Sequence, residues 1–173
     1  MKNLCKFSVK LFFLFFLFLQ SNAAIITKIV IEGNNRVSDE TIKVYGDIKE
    51  NENIDEKKIN EILNNLYSTN FFEDVQINEI NGILNISVKE YPVVNQLIVL
   101  GEKSSKIKNE IKKRISTKSK RSFIKSSLSK DIELIKSLYS SIGYNFANVE
   151  VKVKELDKSN FDILVEIERG EIT

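Results

Sequence analysis

From residue 26 onward, apolar and polar positions run through the same order twice. Each round has an apolar run ending in glycine, two helical stretches, a junction and two alternating runs. The first opens with Ile26-Thr27-Lys28-Ile29-Val30-Ile31-Glu32, a β-branched run that Gly33-Asn34-Asn35 ends with turn chemistry. Gly33 reads as a strand end that needs positive φ. Ser38-Asp39-Glu40 offers an N-cap with acid in the first turn, so a short helix is predicted through about Tyr45, closed by Gly46. Asp55 caps the next helix, whose apolar residues Ile59, Ile62, Leu63, Leu66 and Tyr67 form one stripe. Val75 and Ile77 then alternate with Gln76 and Asn78, Asn81-Gly82 predicts a hairpin turn, and Leu84, Ile86 and Val88 alternate with polar residues. Such alternation buries one face of a sheet and leaves the other wet.

The second round opens with Leu97-Ile98-Val99-Leu100 and ends that run at Gly101. Ser104 or Ser105 caps a helix with Ile107, Ile111 and Ile115 on one side. A longer helix follows, striped by Leu128, Ile132, Ile135, Leu138, Tyr139 and Ile142, with Gly143 as its C-terminal stop. Val149, Val151 and Val153 alternate with charge, Asp157-Lys158-Ser159-Asn160 turns the chain, and Phe161, Ile163, Val165 and Ile167 complete the sheet. The junctions themselves are related: Leu66-Tyr67-Ser68-Thr69-Asn70-Phe71-Phe72-Glu73-Asp74-Val75 returns, loosened, from Leu138-Tyr139-Ser140 to Val149. Leu66 and Tyr67 read as the last core-facing turn of a helix, and Phe71 and Phe72 as anchors of the strand that follows. A repeat of roughly 70–80 residues means two small domains in tandem, each with its own core. Pro92, the only proline, holds Tyr91 extended, so Tyr91, Pro92 and Val93 are the expected hinge, and a short one.

Composition narrows the chemistry. Lys2, Lys6 and Lys10 flank an apolar run at 11–19, and Gln20-Ser21-Asn22-Ala23 supplies the small residues that a signal peptidase reads. The run is about nine residues, short of the roughly 20 that a spanning helix needs, so 1–23 is expected to be a cleaved signal peptide. Cleavage would remove Cys5, the only cysteine, and the chain has no histidine. Ser-His-Asp triads, Cys-His pairs and the commonest zinc sites are thereby excluded. Glu73 and Asp74 point to opposite faces of a strand, while Glu166 and Glu168 share a solvated one, so neither pair is placed for general acid work. No catalytic residue, cofactor or metal ligand is expected.

What remains is backbone and charge. A three-stranded sheet has two margins of unpaired N–H and C=O groups, on which an extended peptide can add a strand by β-augmentation. The expected margins are Phe72, Glu73, Asp74, Val75, Gln76 and Ile77 in the first module. In the second they are Asn148, Val149, Glu150, Val151, Lys152, Val153 and Lys154, where outward lysines also guard against uncontrolled pairing. The formal net charge is only +2, yet 103–125 is dense in base. Lys112, Lys113, Arg114, Lys118, Lys120 and Arg121 form a candidate patch for an anionic surface, against the plainer reading of a solvated helix face.

The combination of a leader, Ile-Val-Ile-Glu-Gly-Asn-Asn-Arg-Val-Ser-Asp-Glu-Thr-Ile ending at Ile42, the junction Leu66 to Val75, and Val-Lys-Glu-Tyr-Pro at 88–92 resembles the Omp85 family. The second module is a looser match, since Gly101-Glu102-Lys103-Ser104 lacks the asparagine that follows Gly33. The resemblance implies an α+β fold of two tandem POTRA domains, each β-α-α-β-β, with a three-stranded mixed sheet covered on one face by two helices. The expected bounds are 24–91 and 92–170, with 171–173 opening a linker to a third domain absent from this sequence. It implies a periplasmic region of an outer-membrane protein that helps insert barrel proteins. The partners it implies are accessory lipoproteins, unfolded outer-membrane clients, a periplasmic chaperone and, through a C-terminal β-barrel absent here, the outer membrane; nucleic acid is not among them. Division scaffolds, two-partner secretion or TamA-type transporters and a polyanion-binding module are the alternatives.

Overall fold

The computed structural model describes residues 24–172, so the expected leader at 1–23, with Cys5, lies outside the described residues. Two compact units form, one comprising 24–69 and 75–88, the other 70–74 and 89–172. Each is built around one three-stranded sheet.

The first sheet contains β2 (Lys28–Glu32), β4 (Phe72–Ile80) and β5 (Ile83–Glu90), in the order β2-β5-β4. β2 runs parallel to β5, with Ile29 opposite Leu84 and Ile31 opposite Ile86. The chain between β2 and β4 forms helices α1 (Asp39–Gly46) and α2 (Glu56–Ser68). Ser38 caps α1 by accepting from Thr41 N, and the Asp55 carboxylate caps α2, accepting from Lys58 N at 2.8 Å. Ile42, Ile62, Leu66, Leu84 and Ile86 are all but fully buried, so helices and sheet turn their apolar sides inward. Asn81 and Gly82 both take positive φ, 53° and 77°, as a two-residue I′ hairpin requires.

Three details depart from the pattern. Gly46 is the last helical residue and is buried; the left-handed stop is Asp47, at φ 49°. A Cβ on Gly46 would meet the Ile48 side chain at 2.7 Å, so the glycine answers to packing. A small antiparallel sheet, β1 (Ala24–Ile25) with β3 (Asn53–Ile54), joins the start of the first unit to the segment before α2. In β4, Phe72 and Val75 are both buried, although three residues apart. Strict period-2 alternation is therefore broken between them.

The second sheet repeats the topology as β6-β8-β7, from β6 (Val93–Leu100), β7 (Asn148–Asp157) and β8 (Asn160–Glu168). β6 is parallel to β8 and β7 antiparallel to it. Helices α3 (Ser105–Arg114) and α4 (Lys125–Ser141) lie between β6 and β7 in the chain, α3 capped by Ser104. One core joins Ile111 and Ile115, Leu128, Ile135 and Tyr139 with Val94, Val99, Val149, Ile163, Val165 and Ile167. Ile142, expected in the stripe of α4, is exposed, because the helix has ended and Gly143 (φ 93°) turns the chain away.

Two glycines show why both rounds break the first strand at the same residue type. Gly33 (φ 87°) and Gly101 (φ 82°) each lie against a carbonyl of the central strand, that of Val88 and that of Ile167. A Cβ at either position would fall well inside van der Waals contact of that oxygen.

Candidate functional site

The expected strand margins lie at the rims of their sheets. β4 ends the first sheet and β7 the second, and the residues named for each fall within these strands. Phe72, Val75 and Val149 have buried side chains, so they could meet a partner only through the main chain. Glu73 pairs with Lys89 at 2.6 Å.

The two rims differ. On β4, the N–H of Val75 donates to the Tyr67 hydroxyl at 3.1 Å. Tyr67 is 42% exposed, so it is not the core residue its place in the stripe suggests; it reaches over to the strand. On β7, Val149 is buried and Val151 half-buried, but every residue from Lys152 to Asp157 is exposed, Val153 and Leu156 included. Along that stretch the only strand paired to β7 among the described residues is β8. Lys152 holds Glu166 of β8 at 2.6 Å, which keeps the Lys152 ammonium above its usual pKa.

The opposite rim of the second sheet is occupied. The segment between α3 and α4 runs beside the first half of β6. Phe123 N donates to Pro92 O (2.7 Å), Val94 N to Arg121 O (2.8 Å), Lys120 N to Val94 O (2.6 Å) and Leu97 N to Ser119 Oγ (2.9 Å). Asp131, buried on α4, holds the start of this segment, its two carboxylate oxygens each accepting at 2.7 Å from Ser116 N and Thr117 N. Phe123 stacks on Phe161 of β8, 5.2 Å between centroids. The segment thus acts as a strap that satisfies donors and acceptors on one margin of the sheet.

The expected hinge residues are engaged in backbone pairing. Tyr91 N donates to Phe71 O at 2.9 Å, and Val93, the first residue of β6, donates to Ser159 O at 2.7 Å. Of the candidate basic patch, Lys112, Lys113 and Arg114 form the last turn of α3, where cations oppose the helix dipole. Lys118 donates to the carbonyls of Lys112 and Lys113, Lys120 to Asn95 Oδ1 at 2.9 Å, and Arg114 pairs with Glu110. Arg121 is exposed.

Sequence reasoning missed one polar cluster. Glu102 is 2% exposed and accepts from the Tyr139 hydroxyl, Ser104 N (2.5 Å) and the Arg169 guanidinium. Burial works against its charge, yet Tyr139, Ser104 and Arg169 together hold the Glu102 carboxyl below its ordinary pKa. Burial first, then the neighbouring carboxylate, pushes the Tyr139 hydroxyl up. Arg169 also lies over the Tyr144 ring, 5.7 Å from its centroid. The signal was present in the sequence, at the point where the second round replaces the asparagine after glycine with Glu102 and gains Arg169. Among the described residues no helix is long and apolar enough to cross a membrane, and no His, Cys, Asp and Glu group could hold a metal.

The family model described as "POTRA: Surface antigen variable number repeat" matches twice, at 24–91 and 92–170. The chain belongs to the POTRA family. It is 27% identical over 149 residues to the outer membrane protein assembly factor BamA of Neisseria meningitidis, covering 84% of this chain and 18% of that protein. Against BamA of Neorickettsia risticii the identity is 23% over 148 residues, covering 86% and 20%. The chain therefore spans about a fifth of the length of these relatives. The N-terminal domain of Omp85 from Thermosynechococcus elongatus shares the fold, with a TM-score of 0.53 at 20% identity, covering 84% of this chain and 63% of that one. The repeated β-α-α-β-β units are the two POTRA repeats that the family model matches, and their fold is that of the Omp85 N-terminal domain.

Proposed function

We propose that this POTRA pair serves in the periplasm as the receiving region of an outer-membrane assembly factor of the BamA type, and that it binds extended strands by β-augmentation. On this reading, the leader exports the chain and is cleaved. The partners are unfolded outer-membrane clients, the periplasmic chaperone that delivers them and the lipoprotein subunits of the Bam complex. A membrane β-barrel outside this sequence anchors the array. The pair acts as a binding module and catalyses no reaction.

The observation that carries the reading is the contrast between the two rims of the second sheet. The first half of β6 is covered by the strap, whereas β7 is long, exposed over its second half and paired with β8 alone among the described residues. Main-chain pairing tolerates many sequences, as a handler of diverse clients needs. At β4 the Val75 N–H is already accepted by Tyr67, so the first module is the weaker acceptor.

Proline tests this directly. Successive residues of an antiparallel strand aim their N–H groups to opposite sides, so one of Lys152 and Val153 faces β8 and the other faces outward. Lys152→Pro and Val153→Pro are compared for binding of a labelled outer-membrane strand peptide, with folding followed by circular dichroism. The outward-facing variant is expected to stay folded and lose binding, and the inward-facing one to destabilise the module. Full binding by a folded proline variant at both positions would refute β7 as the acceptor.

A further inference from the structure

The two POTRA repeats carry opposite charge. Residues 24–91 hold seven Lys and Arg against thirteen Asp and Glu, while 92–170 hold sixteen against ten. Most of the excess base lies in α3 and the strap, because 103–125 contain ten cations and a single acid, Glu110. That acid is already consumed. Arg114 binds it at 2.5 Å, and Arg114, with Lys113 and Lys106 adding to its field, holds Glu110 below its ordinary pKa. Some of the base has a structural task, in the bonds made by Lys118 and Lys120. The exposed side chains of Lys103, Lys106, Lys112, Lys113, Arg121 and Lys125 form no ion pair among the described residues. On α3, Lys106 and Lys113 lie seven residues apart on one solvent face, with exposed Asn109 between them and Lys112 alongside. Lys118, bonded to the last carbonyls of α3, brings the start of the strap to the same end of the helix.

A solvated face ordinarily mixes both signs, since like charges repel. A one-sign face is the arrangement that attracts a polyanion. Its chemistry selects among polyanions. Eight of the ten cations are lysines, compact point charges without the planar fork that recognises one carboxylate or phosphate bidentately. None of the large exposed apolar side chains of the described residues falls within 103–125. Protein interfaces are anchored by buried aromatic and apolar residues, which this face lacks. Its single aromatic residue gives no stacking platform for bases either, because Phe123 is already stacked on Phe161. We infer that the lysine face of α3, together with the strap, lies against an anionic phospholipid surface, held by diffuse electrostatics without insertion. The choice of lipid over nucleic acid rests on the proposed location in the cell envelope; the attraction itself does not rest on strand capture.

Residues 24–173, which contain every element described, are tested for co-sedimentation with vesicles of phosphatidylcholine alone and with 30% phosphatidylglycerol, at low and high salt. Each cation near such a surface strengthens binding about fivefold at low salt, so Lys106→Gln/Lys112→Gln/Lys113→Gln should bind anionic vesicles on the order of a hundredfold more weakly. The expected pattern is binding to anionic vesicles alone, lost at high salt and in the triple variant, with the circular dichroism spectrum unchanged. A control, Lys152→Gln/Lys154→Gln, should keep vesicle binding. Equal binding by the triple variant, binding to neutral vesicles, or equally tight binding to duplex DNA at the same salt would overturn the inference. The triple variant should still capture a strand peptide on β7, so failure here and failure of the proposed function read out separately.

Discussion

Replacing Glu102 by alanine should be among the most damaging single changes in the second module. The carboxylate is buried and satisfies three donors at once: the Tyr139 hydroxyl, Ser104 N and the Arg169 guanidinium. Tyr139 is fully buried, so its hydroxyl would be left without an acceptor, which costs about 1–3 kcal/mol. Breaking a buried ion pair costs about 3–5 kcal/mol where the remaining charge cannot reach water. Arg169 retains 29% exposure and can partly rehydrate, which places the total near 3 kcal/mol. With a urea m-value of about 1 kcal/mol/M for a domain of this size, the midpoint should fall by roughly 2–3 M. The chain has no tryptophan, so tyrosine fluorescence and far-ultraviolet circular dichroism are the probes, and the second module's transition is followed separately. The pH dependence gives an independent check. The folded-state pKa of Glu102 is depressed, so its stabilisation is fully present above the unfolded value of about 4.3 and is lost as pH falls through the folded value. The stability gap between the parent and Glu102→Gln should therefore be constant from pH 7 to about 5.5 and close at lower pH. A midpoint within 0.3 M of the parent for Glu102→Ala, or a gap that widens on acidification, would refute the reasoning.

Gly101→Ala should cost at least about 2–3 kcal/mol, because the new methyl would overlap the Ile167 carbonyl at a left-handed φ; Gly33→Ala should do the same in the first module, and urea midpoints check both. Asp131→Asn keeps the shape of the side chain but removes the charge that two backbone donors share, so a loss of about 1–2 kcal/mol is expected. Hydrogen exchange should then quicken at Val94 and Leu97, whose N–H groups the strap covers; unchanged exchange would show that the strap holds without Asp131.

What the sequence disclosed was whatever periodicity and capping could carry. Leu84, Ile86 and Val88 alternate because β5 is central and has one dry face, and Asn81-Gly82 can hardly do other than turn. The repeat itself was read one residue out of register. By burial Leu66 matches Tyr139, and by left-handed backbone Asn70 matches Gly143, so the shared Leu-Tyr-Ser letters do not mark equivalent places. That offset explains why Tyr67 faces outward while Tyr139 is fully buried. The burial of Glu102 and Asp131 was not legible for a different reason. A buried acid within a charged stretch has no periodic signature; its burial follows from donors brought in by distant chain, such as Arg169 for the one and the turn at Ser116 for the other. The sheet of β1 and β3 has two residues per strand, too few for any alternation to register.

The strap over β6 also limits how copies of the second module could associate through their sheets. Two copies meeting β7 to β7 would close on themselves about a twofold axis. Continuing the ribbon beyond that pair would require the far margin of each copy, and the strap already fills its first half. Growth beyond such a dimer is therefore blocked along the strapped half of β6 and left with only the short second half of that margin.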